Sequence, residues 1–368
     1  MIIYIINGFD TYEHRVDFLY KILTDYGHKV RVLSSDYKHI DKQKRTERKE
    51  GFKFFNTEPY HKNLSLQRMR SHVHLSKAIF TYVERKIESI DLLWVLAPPN
   101  SFVKDAARLK RKYSKLKLVF DIIDMWPETM PIGRIKNFYP IKIWGDIRDK
   151  NINIADFVVT ECDLYQMKLK KYVSAKKMKT IYLARESETY HFKPNLPKDK
   201  IALCYLGSIN HIIDIPEIGR VIQGFQKYRD VELHIIGGGE KKKELLTVAQ
   251  SIGVDVIDYG MIYDKTKKQE IFDCCHYGIN IYKKNVFIGL TMKCIDYFEG
   301  GLPIINNIKG DTWKFVEQYQ CGINVPHQYY YDDEFRKNAR EVFERNFSVR
   351  NFEKAIASLE SVNLNEKI

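Results

Sequence analysis

The segment that precedes Pro303 carries the strongest chemical pattern in the sequence, a lysine and a carboxylate at the start of a helix. Thr291 is a favoured N-cap residue, and a helix beginning at Met292 places Lys293 and Asp296 three residues apart in its first turn. A lysine there can contact a diphosphate, and a carboxylate can accept hydrogen bonds from ribose hydroxyls. A surface ion pair, contributing about 0.2–0.5 kcal/mol, is the alternative interpretation. The functional interpretation predicts that both side chains lie at an accessible helix start rather than in a core.

Turns that contain glycine follow three of the predicted strands and are candidates for binding a phosphate or a sugar. They contain Gly8; Gly207 and Ser208; and Gly237, Gly238 and Gly239. Glycine lets a backbone N–H approach such a ligand closely, and a following helix N-terminus favours negative charge. Each glycine also suits a simple tight connection between strand and helix. No G-x-G-x-x-G follows the first strand, which disfavours an NAD-type turn.

Two carboxylates, Asp124 and Glu128, are the candidates for acid or base chemistry on an acceptor. They flank Trp126 and come just after a predicted strand. A carboxylate at the carboxyl end of a strand can be held within reach of a substrate hydroxyl. The alternative is structural, with Asp124 capping the following turn and Glu128 solvated.

No metal site and no cofactor are expected. The eleven histidines form no H-x-x-x-H pattern with a carboxylate cluster. Asp121 and Asp124 are separated by two residues, so the D-x-D metal motif is absent. The absence of this motif favours a site that neutralises the charge of a diphosphate with backbone N–H groups and lysine rather than with Mg²⁺. The six cysteines form no C-x-x-C pair and are interpreted as reduced thiols.

The elements that must hold these residues alternate between short β-branched runs and longer stretches of helical period. This alternation is typical of a parallel sheet covered by helices, which binds ligands at the carboxyl ends of its strands. The predicted strands of the first half are 2–6, 30–33, 92–96, 118–123 and 157–160. Those of the second half are 201–206, 231–236, 254–257, 277–281 and 303–305, separated by helices at about 215–228, 240–252, 266–275 and 292–300.

The sequence therefore predicts an α/β protein with two tandem Rossmann-like doubly wound domains. Its 368 residues exceed the size at which one core usually stops growing. We expect an N-terminal domain over 1–185 and a C-terminal domain over 186–345. Phe352, Ile356 and Leu359 share one face of a polar tail, which predicts a closing helix in 346–368 that packs back on the first domain.

The second half resembles the C-terminal domain of GT-B glycosyltransferases of the family-4 type. In that family a stretch reads much like K-x-x-E-Y-x-x-x-G-x-P, and its acidic residue grips the donor ribose. The residues that carry the resemblance are, in order, Gly207, Gly237 to Gly239, Tyr259-Gly260, and Lys293-x-x-Asp296-Tyr297-Phe298-x-x-Gly301-Leu302-Pro303.

The chain departs from the family pattern in two respects. Asp296 stands seven residues before Pro303, where the family usually has glutamate, and Ile288 stands where the paired glutamate would fall. Some bacterial polysaccharide members look similar, and Lys293 fits that variant. The family's basic residue after the first glycine turn is not obvious, so the resemblance leaves phosphate neutralisation to Lys293 or Arg185.

The first half resembles the same family at 119–128, which looks like a strand ending in an acidic Trp-Pro loop, and at 157–162. The resemblance implies GT-B architecture, with an N-terminal acceptor domain and a C-terminal domain that grips a nucleotide-sugar donor in the cleft between them. Under it, Asp124, Glu128 and Lys293 are the catalytic candidates. The candidates for donor binding are Gly8, Gly207, Ser208, Arg185, Gly237, Gly238, Gly239, Lys293 and Asp296.

The resemblance implies a glycosyltransferase that uses a nucleoside diphosphate donor, with a UDP-sugar favoured, and that retains anomeric configuration. We expect a glycan or lipid-linked acceptor in cell-surface polysaccharide synthesis. Two alternatives stay open. One is a UDP-sugar 2-epimerase, which shares the two-domain plan and forms a free-sugar epimer without an acceptor. The other is a non-catalytic nucleotide-sugar-binding subunit of a transferase complex, which the isoleucine at position 288 favours.

The formal net charge of +13 indicates an anionic partner. Nucleic acid is disfavoured because no binding module is recognisable. The apolar N-terminal run is too short for a signal peptide, and no run approaches the roughly 20 apolar residues of a spanning helix. We therefore expect a cytoplasmic protein.

The segment 132–144 predicts a peripheral contact with an anionic membrane on the inner face. In it Arg134, Lys136 and Lys142 interleave with aromatic and aliphatic residues. Basic groups near lipid phosphates and aromatic rings at headgroup depth suit such an interface. Packing of the apolar residues on the first domain's core is the alternative.

Overall fold

The computed structural model describes residues 1–62, 65–130, 139–186, 193–326 and 329–360. The chain divides into two compact units, the first comprising Met1–Leu183 with Phe352–Ile368 and the second Ala184–Asn351. Each unit is built on a parallel sheet with helices packed against it. No helix in these ranges is long and apolar enough to cross a membrane.

The first unit contains a seven-stranded parallel sheet in the order β5-β2-β1-β6-β7-β8-β9. Its strands are β1 (Ile2–Ile6), β2 (Lys29–Ser35), β3 (Tyr37–Lys38), β4 (Gln43–Lys44), β5 (Phe52–Phe55), β6 (Leu92–Ala97), β7 (Lys117–Ile122), β8 (Phe157–Thr160) and β9 (Met178–Thr180), of which β3 and β4 form a separate antiparallel pair. Its helices are α1 (Glu13–Asp25), α2 (Leu66–Glu84), α3 (Asn100–Lys112), α4 (Tyr139–Asp149) and α5 (Asp163–Leu169). The central strand β6 is buried along its whole length, as expected for a strand covered on both faces.

The second unit contains a six-stranded parallel sheet in the order β12-β11-β10-β13-β14-β15. Its strands are β10 (Lys200–Leu206), β11 (Asp230–Ile236), β12 (Asp255–Gly260), β13 (Tyr277–Asn280), β14 (Ile304–Asn306) and β15 (Gly322–Asn324). The helices that follow in the chain are α6 (Ile215–Gln226), α7 (Lys242–Ser251), α8 (Lys265–Asp273), α9 (Met292–Glu299), α10 (Asp311–Tyr319), α11 (Glu334–Asn346) and α12 (Val349–Leu359).

The α/β class and the tandem arrangement predicted from the sequence are confirmed. Every predicted strand is present, and the largest displacement is that of 254–257, which is Asp255–Gly260 in the structure. The closing helix is also confirmed as α12, because Phe352, Ile356 and Leu359 are buried and the helix joins the first unit from Phe352 onward.

A buried ion pair lies at the centre of the first unit. Arg15 of α1 and Asp121 of β7 are 1% and 0% exposed, and the guanidinium donates to both carboxylate oxygens at 2.9 and 3.0 Å. Trp94 Nε1 donates to the same carboxylate at 3.0 Å, and Arg15 Nη1 also donates to the carbonyl of Ile181 at 3.0 Å. A buried pair with this many hydrogen bonds is satisfied only while both partners are present.

Candidate functional site

A ladder of three buried asparagines joins the carboxyl ends of β13, β14 and β15. Asn280 Nδ2 donates to Asn306 Oδ1, and Asn306 Nδ2 donates to Asn324 Oδ1, both at 2.8 Å. Thr291 Oγ1 donates to Asn280 Oδ1 at 2.9 Å and accepts from the backbone N–H of Cys294 at 3.3 Å. The N-cap predicted at Thr291 is therefore confirmed, and the ladder fixes the start of α9 against the strand ends.

Lys293, in the first turn of α9, is buried, which corrects the prediction that it lies outside a core. It is 7% exposed, and Nζ has no hydrogen-bond partner among the described residues. Nζ lies 4.0 Å from the ring centroid of Tyr205 and 5.1 Å from that of Tyr282. Burial lowers the pKa of Lys293 to about 7, because removing the ammonium from water disfavours its charged form.

The cation–π contacts of Lys293 compensate only part of its desolvation. Such contacts contribute about 2 kcal/mol when desolvated, whereas an ammonium without hydrogen-bonded partners costs several kcal/mol to bury. A titratable group held in this unfavourable state is typical of a binding or catalytic position, where a ligand supplies the missing partner. The arrangement therefore indicates an anion-binding position beside the tyrosine rings.

Two of the glycine turns of the second unit lie against each other beside β10 and β11. A Cβ atom on Gly237 would stand 2.1 Å from the carbonyl oxygen of Gly207, and one on Gly239 would stand 2.4 Å from that of Ile209. Both glycines also have positive φ, +147° and +138°. Glycine is required at both positions because any side chain would separate the turns.

Tyr205 connects the buried lysine to the first of these turns. Its ring lies beneath Lys293 Nζ, and its hydroxyl donates to the carbonyl of Ser208 at 2.9 Å. Gly207 has a φ of +101° and no atom within 4 Å of the position of a Cβ, and Ser208 is exposed. Gly238, in the second turn, accepts a hydrogen bond from the Ile209 N–H at 2.8 Å. The Gly207 N–H donates to the carbonyl of Ile236 at 2.8 Å, so the open space of this turn lies on the side of the missing Cβ, and Tyr205 connects the turn to Lys293.

Asp296 lies between two cations and does not form the surface ion pair with Lys293. Its Oδ1 is 3.3 Å from Lys268 Nζ of α8 and 3.8 Å from Arg185 Nη2. Its side chain is 21% exposed. Glu299, one turn further along α9, is buried, and desolvation raises its pKa. The structure therefore brings together Arg185 and Asp296, two of the predicted site residues, and adds Lys268, which sequence reasoning missed.

Gly8, the glycine predicted to bind in the first unit, is closely packed. It is buried, and a Cβ atom there would stand 2.9 Å from Cδ of Pro99 and 3.4 Å from the ring of Phe102. Pro99 and Phe102 come at the start of α3. This contact gives a packing reason for the glycine, independent of a ligand.

Asp124 holds the turn that follows β7. Its carboxylate accepts from the N–H of Met125 at 2.7 Å, from Trp126 Nε1 at 2.6 Å and from the hydroxyl of Thr129. Tyr12 OH also donates to it at 3.5 Å. Burial raises the pKa of Asp124, and these hydrogen bonds act in the opposite direction. The capping role that the sequence left as the alternative is thus present in the structure.

Glu128 forms a two-point ion pair with a buried arginine. Arg148 of α4 donates to both of its carboxylate oxygens at 2.9 and 3.0 Å, and also to the carbonyl of Trp126 at 2.9 Å. The pair ties α4 to the Trp126 loop. The roles of Asp124 and Glu128 on an acceptor stay predictions.

An aromatic cluster with basic groups, which sequence reasoning missed, lies over the same loop. The guanidinium of Arg68, on α2, lies 4.5 Å from the Trp126 ring centroid and 5.4 Å from that of Phe9. His72, one turn along α2, stacks on Trp126 with centroids 6.1 Å apart. Burial and the Arg68 charge lower the pKa of His39 to about 4 and that of His72 well below its usual value. The cluster lies where β1 and β7 end, the edge at which such sheets bind ligands.

The proposed membrane segment lies mostly outside the described residues. Arg134 and Lys136 lie outside the described residues, whereas Lys142 is described and is exposed on α4. Within the described ranges, no three His, Cys, Asp or Glu side chains are grouped as metal ligands.

Comparison with solved structures shows the fold over the whole chain. The Anabaena protein HepE, in complex with UDP and glucose, aligns with a TM-score of 0.61 and 12% identity over 98% of this chain and 99% of its own. A glycosyltransferase from Rickettsia africae aligns with a TM-score of 0.64 and 12% identity over 100% and 99%. The lipopolysaccharide outer core galactosyltransferase WaaB aligns with a TM-score of 0.63 and 14% identity over 97% and 99%. The sequence itself matches no protein-family model and no curated protein. The likeness confirms GT-B architecture as the fold.

Proposed function

We propose that this protein is a glycosyltransferase that takes its sugar from a nucleoside diphosphate donor, with UDP-sugars favoured, and that the donor binds in the second unit. The single observation that carries the proposal is the buried Lys293 ammonium, which has no hydrogen-bond partner in the described chain and stands beside an open glycine turn. HepE, which shares the fold, binds UDP and UDP-glucose. A diphosphate supplies the anionic partner that Lys293 lacks.

The diphosphate and the ribose of the donor each have a candidate partner at this edge of the sheet. In the proposal, Lys293 donates hydrogen bonds to the diphosphate and stabilises its charge as the bond to the sugar breaks. The backbone at Gly207 and Ser208 approaches the phosphates or the sugar. Asp296 accepts hydrogen bonds from the ribose hydroxyls, with Arg185 next to it as a second cation for the diphosphate.

The acceptor side of the proposal rests on the first unit. Asp124 and Glu128 are the proposed residues for acid or base chemistry, although both are also tied into the Trp126 loop. We further propose that the acceptor is a glycan or is lipid-linked, and that the transfer retains anomeric configuration. The enzyme would act in cell-surface polysaccharide synthesis, in the cytoplasm at an anionic membrane surface. The likeness to WaaB, a lipopolysaccharide outer core galactosyltransferase, supports a place in cell-surface polysaccharide synthesis, and the net charge of +13 supports contact with an anionic surface.

A nucleotide screen tests the donor site directly. We expect at least one of UDP, GDP, TDP and ADP at about 1 mM to raise the melting temperature, because a ligand bound only by the folded state stabilises it. Differential scanning fluorimetry of the full chain measures the shift. Inorganic sulfate at equal ionic strength is the control for general anion effects. If no nucleotide raises the melting temperature more than sulfate does, the donor site is contradicted. In a separate assay, formation of a free-sugar epimer without an acceptor would favour the epimerase.

The affinity for a nucleotide sugar is expected to fall as pH rises above about 7. Lys293 titrates near that pH in the free protein, and only its charged form pairs with the diphosphate, so binding takes up a proton at higher pH. Affinity should decrease up to about tenfold per pH unit above the pKa. Calorimetry at intervals between about pH 6 and about pH 8.5 measures this decrease.

Lys293→Met is the control for the pH experiment, because its affinity should not change with pH over the same range. A flat profile in the wild-type protein would show that the ammonium of Lys293 does not contact the donor.

A further inference from the structure

A pocket of about 300 Å³ opens in the second unit at the edge of the sheet where β10 and β13 begin. The donor site proposed above lies at the other end of these strands. Since β10 has seven residues, the two ends are about 20 Å apart. The pocket volume equals that of about ten water molecules, enough for a six-membered ring with its substituents.

Four of the eight residues that line the pocket are tyrosines, and two of these four are exposed. Tyr228 follows α6 and is 71% exposed, and Tyr330 is 53% exposed. The hydroxyl of the buried Tyr277 donates to the carbonyl of Tyr330, which fixes the backbone that carries the second ring. Exposed aromatic rings beside a pocket are typical of a ligand-binding surface rather than of a core.

A helical glycine makes room for a third tyrosine of the wall. A Cβ atom on Gly224 of α6 would stand 2.3 Å from the Tyr329 ring. The Tyr329 ring packs edge to face on Phe225 with centroids 4.8 Å apart. Glycine inside a helix costs about 1 kcal/mol relative to alanine. This helix carries that cost at the position where Tyr329 closes the pocket.

The polar groups of the pocket are donors in fixed positions. His276 Nδ1 accepts from the backbone N–H of Ala202 at 3.0 Å, which leaves the ring proton on Nε2. Tyr331 packs edge to face on His276 with ring centroids 4.9 Å apart, and its hydroxyl is buried next to the Arg336 side chain. Arg229 Nη1 donates to the carbonyl of Lys198 at 3.1 Å, and its other N–H groups can serve a ligand.

We infer that this pocket binds a pyranose ring of a saccharide, separately from the proposed donor site. Such a ring has a C–H face that packs on aromatic rings and hydroxyls that exchange hydrogen bonds at its edge. Tyr228 and Tyr330 supply the aromatic surface, while His276 and Arg229 supply hydrogen-bond donors at the edge of the ring. A pocket of aromatic walls with a few fixed polar groups is the usual form of a small-molecule site.

Calorimetry and ligand-observed NMR on the full chain test this inference. The probes are maltotetraose, chitotetraose and tetragalacturonic acid, which represent neutral, N-acetylated and acidic saccharides. We expect at least one of them to bind in the absence of nucleotide. Tyr228→Ala and Tyr330→Ala should each weaken that binding by about tenfold, because each removes a stacking surface.

Tyr139→Ala is the matched control, since Tyr139 is 73% exposed in the first unit. It should bind the saccharide as the wild type does. No binding of any probe at about 10 mM, or equal affinity in Tyr228→Ala and Tyr330→Ala, overturns the inference. Both variants should keep the nucleotide-induced rise in melting temperature, so a failure here is distinct from a failure of the donor site.

Discussion

Replacement of Lys293 by methionine is expected to remove most of the donor affinity while leaving the fold at least as stable as the wild type. Methionine matches the length and shape of the lysine stem, so it fills the space between Tyr205 and Tyr282 without a charge. Loss of charge-assisted hydrogen bonds to the diphosphate should cost about 1.5–3 kcal/mol, which corresponds to about 10- to 150-fold in affinity. Calorimetry with the nucleotide that stabilises the wild type best measures the loss.

The stability of this variant should depend on pH in a defined direction. The pKa of Lys293 is about 7 in the folded protein, below the ordinary value of 10.5, so the unfolded chain binds more protons between these values. The contribution of Lys293 to the free energy of unfolding of the wild type therefore rises with pH between about 7 and 10.5, and it is lowest below pH 7. The gain from Lys293→Met should be largest near or below pH 7, on the order of 1–3 kcal/mol, and should disappear towards about pH 10.

An exposed lysine of the same unit provides the control for the change in net charge. Lys243 lies on α7 and is exposed, so Lys243→Met should alter neither donor affinity nor the pH dependence of stability. A loss of stability in Lys293→Met with unchanged donor affinity would instead assign the lysine a purely structural role.

Replacement of Asp121 by alanine is expected to destabilise the first unit by about 3–5 kcal/mol, the cost of breaking a buried ion pair by removing one partner. The substitution leaves the Arg15 guanidinium buried without its carboxylate and removes the acceptor of Trp94 Nε1. Urea unfolding followed by Trp fluorescence measures the free energy of unfolding.

Two further variants distinguish a buried charge from simple loss of contacts. The double variant Arg15→Met with Asp121→Leu removes both charges and should recover a large part of the lost stability. Asp25→Ala removes an exposed carboxylate that pairs with Lys21 and should change the stability little. If the double variant is less stable than Asp121→Ala, the charge of Arg15 is not the source of the cost.

The alternation of strands and helices was sufficient to predict the fold, because parallel strands buried on both faces leave continuous apolar runs. The strands at β1 and β8 have the predicted bounds, Ile2–Ile6 and Phe157–Thr160. The strand β15 was not predicted, because its three residues are too few to give a pattern. The long helix α2 was not predicted either, because its buried face includes polar side chains such as Arg68 and His72.

The start of α9 was predicted from local chemistry, whereas the environment of Lys293 was not. The N-cap at Thr291 depends on residues within one turn, which a sequence shows directly. Burial of Lys293 depends on Tyr205, which lies in β10, and on Tyr282, which follows β13. Neither tyrosine is on α9, so helical spacing carries no information on the burial of Lys293. The pairing of Asp296 with Lys268 also crosses between two helices.

The asparagine ladder had a sequence signal that was not used. The dipeptide Ile-Asn ends β13, β14 and β15 in turn, at Asn280, Asn306 and Asn324. In parallel strands of matching register, repeated end residues become neighbours, as the pairing of these three shows. Three apolar strands with the same polar final residue therefore predict a side-chain ladder across a sheet edge.

The ladder has a direction, and this has an evolutionary consequence. Each amide donates to the next asparagine, from Asn280 to Asn306 to Asn324, and the last donates to the carbonyl of Trp313 at 3.1 Å. A change at one position leaves a buried amide donor or acceptor unpaired on the neighbouring asparagine, whereas a change of all three leaves no asparagine amide unpaired, although Thr291 and Ile308 then lose the hydrogen bonds that they make with the ladder. Related chains are therefore expected to inherit or replace the three asparagines together, so that their covariation marks the strands that hold the start of α9.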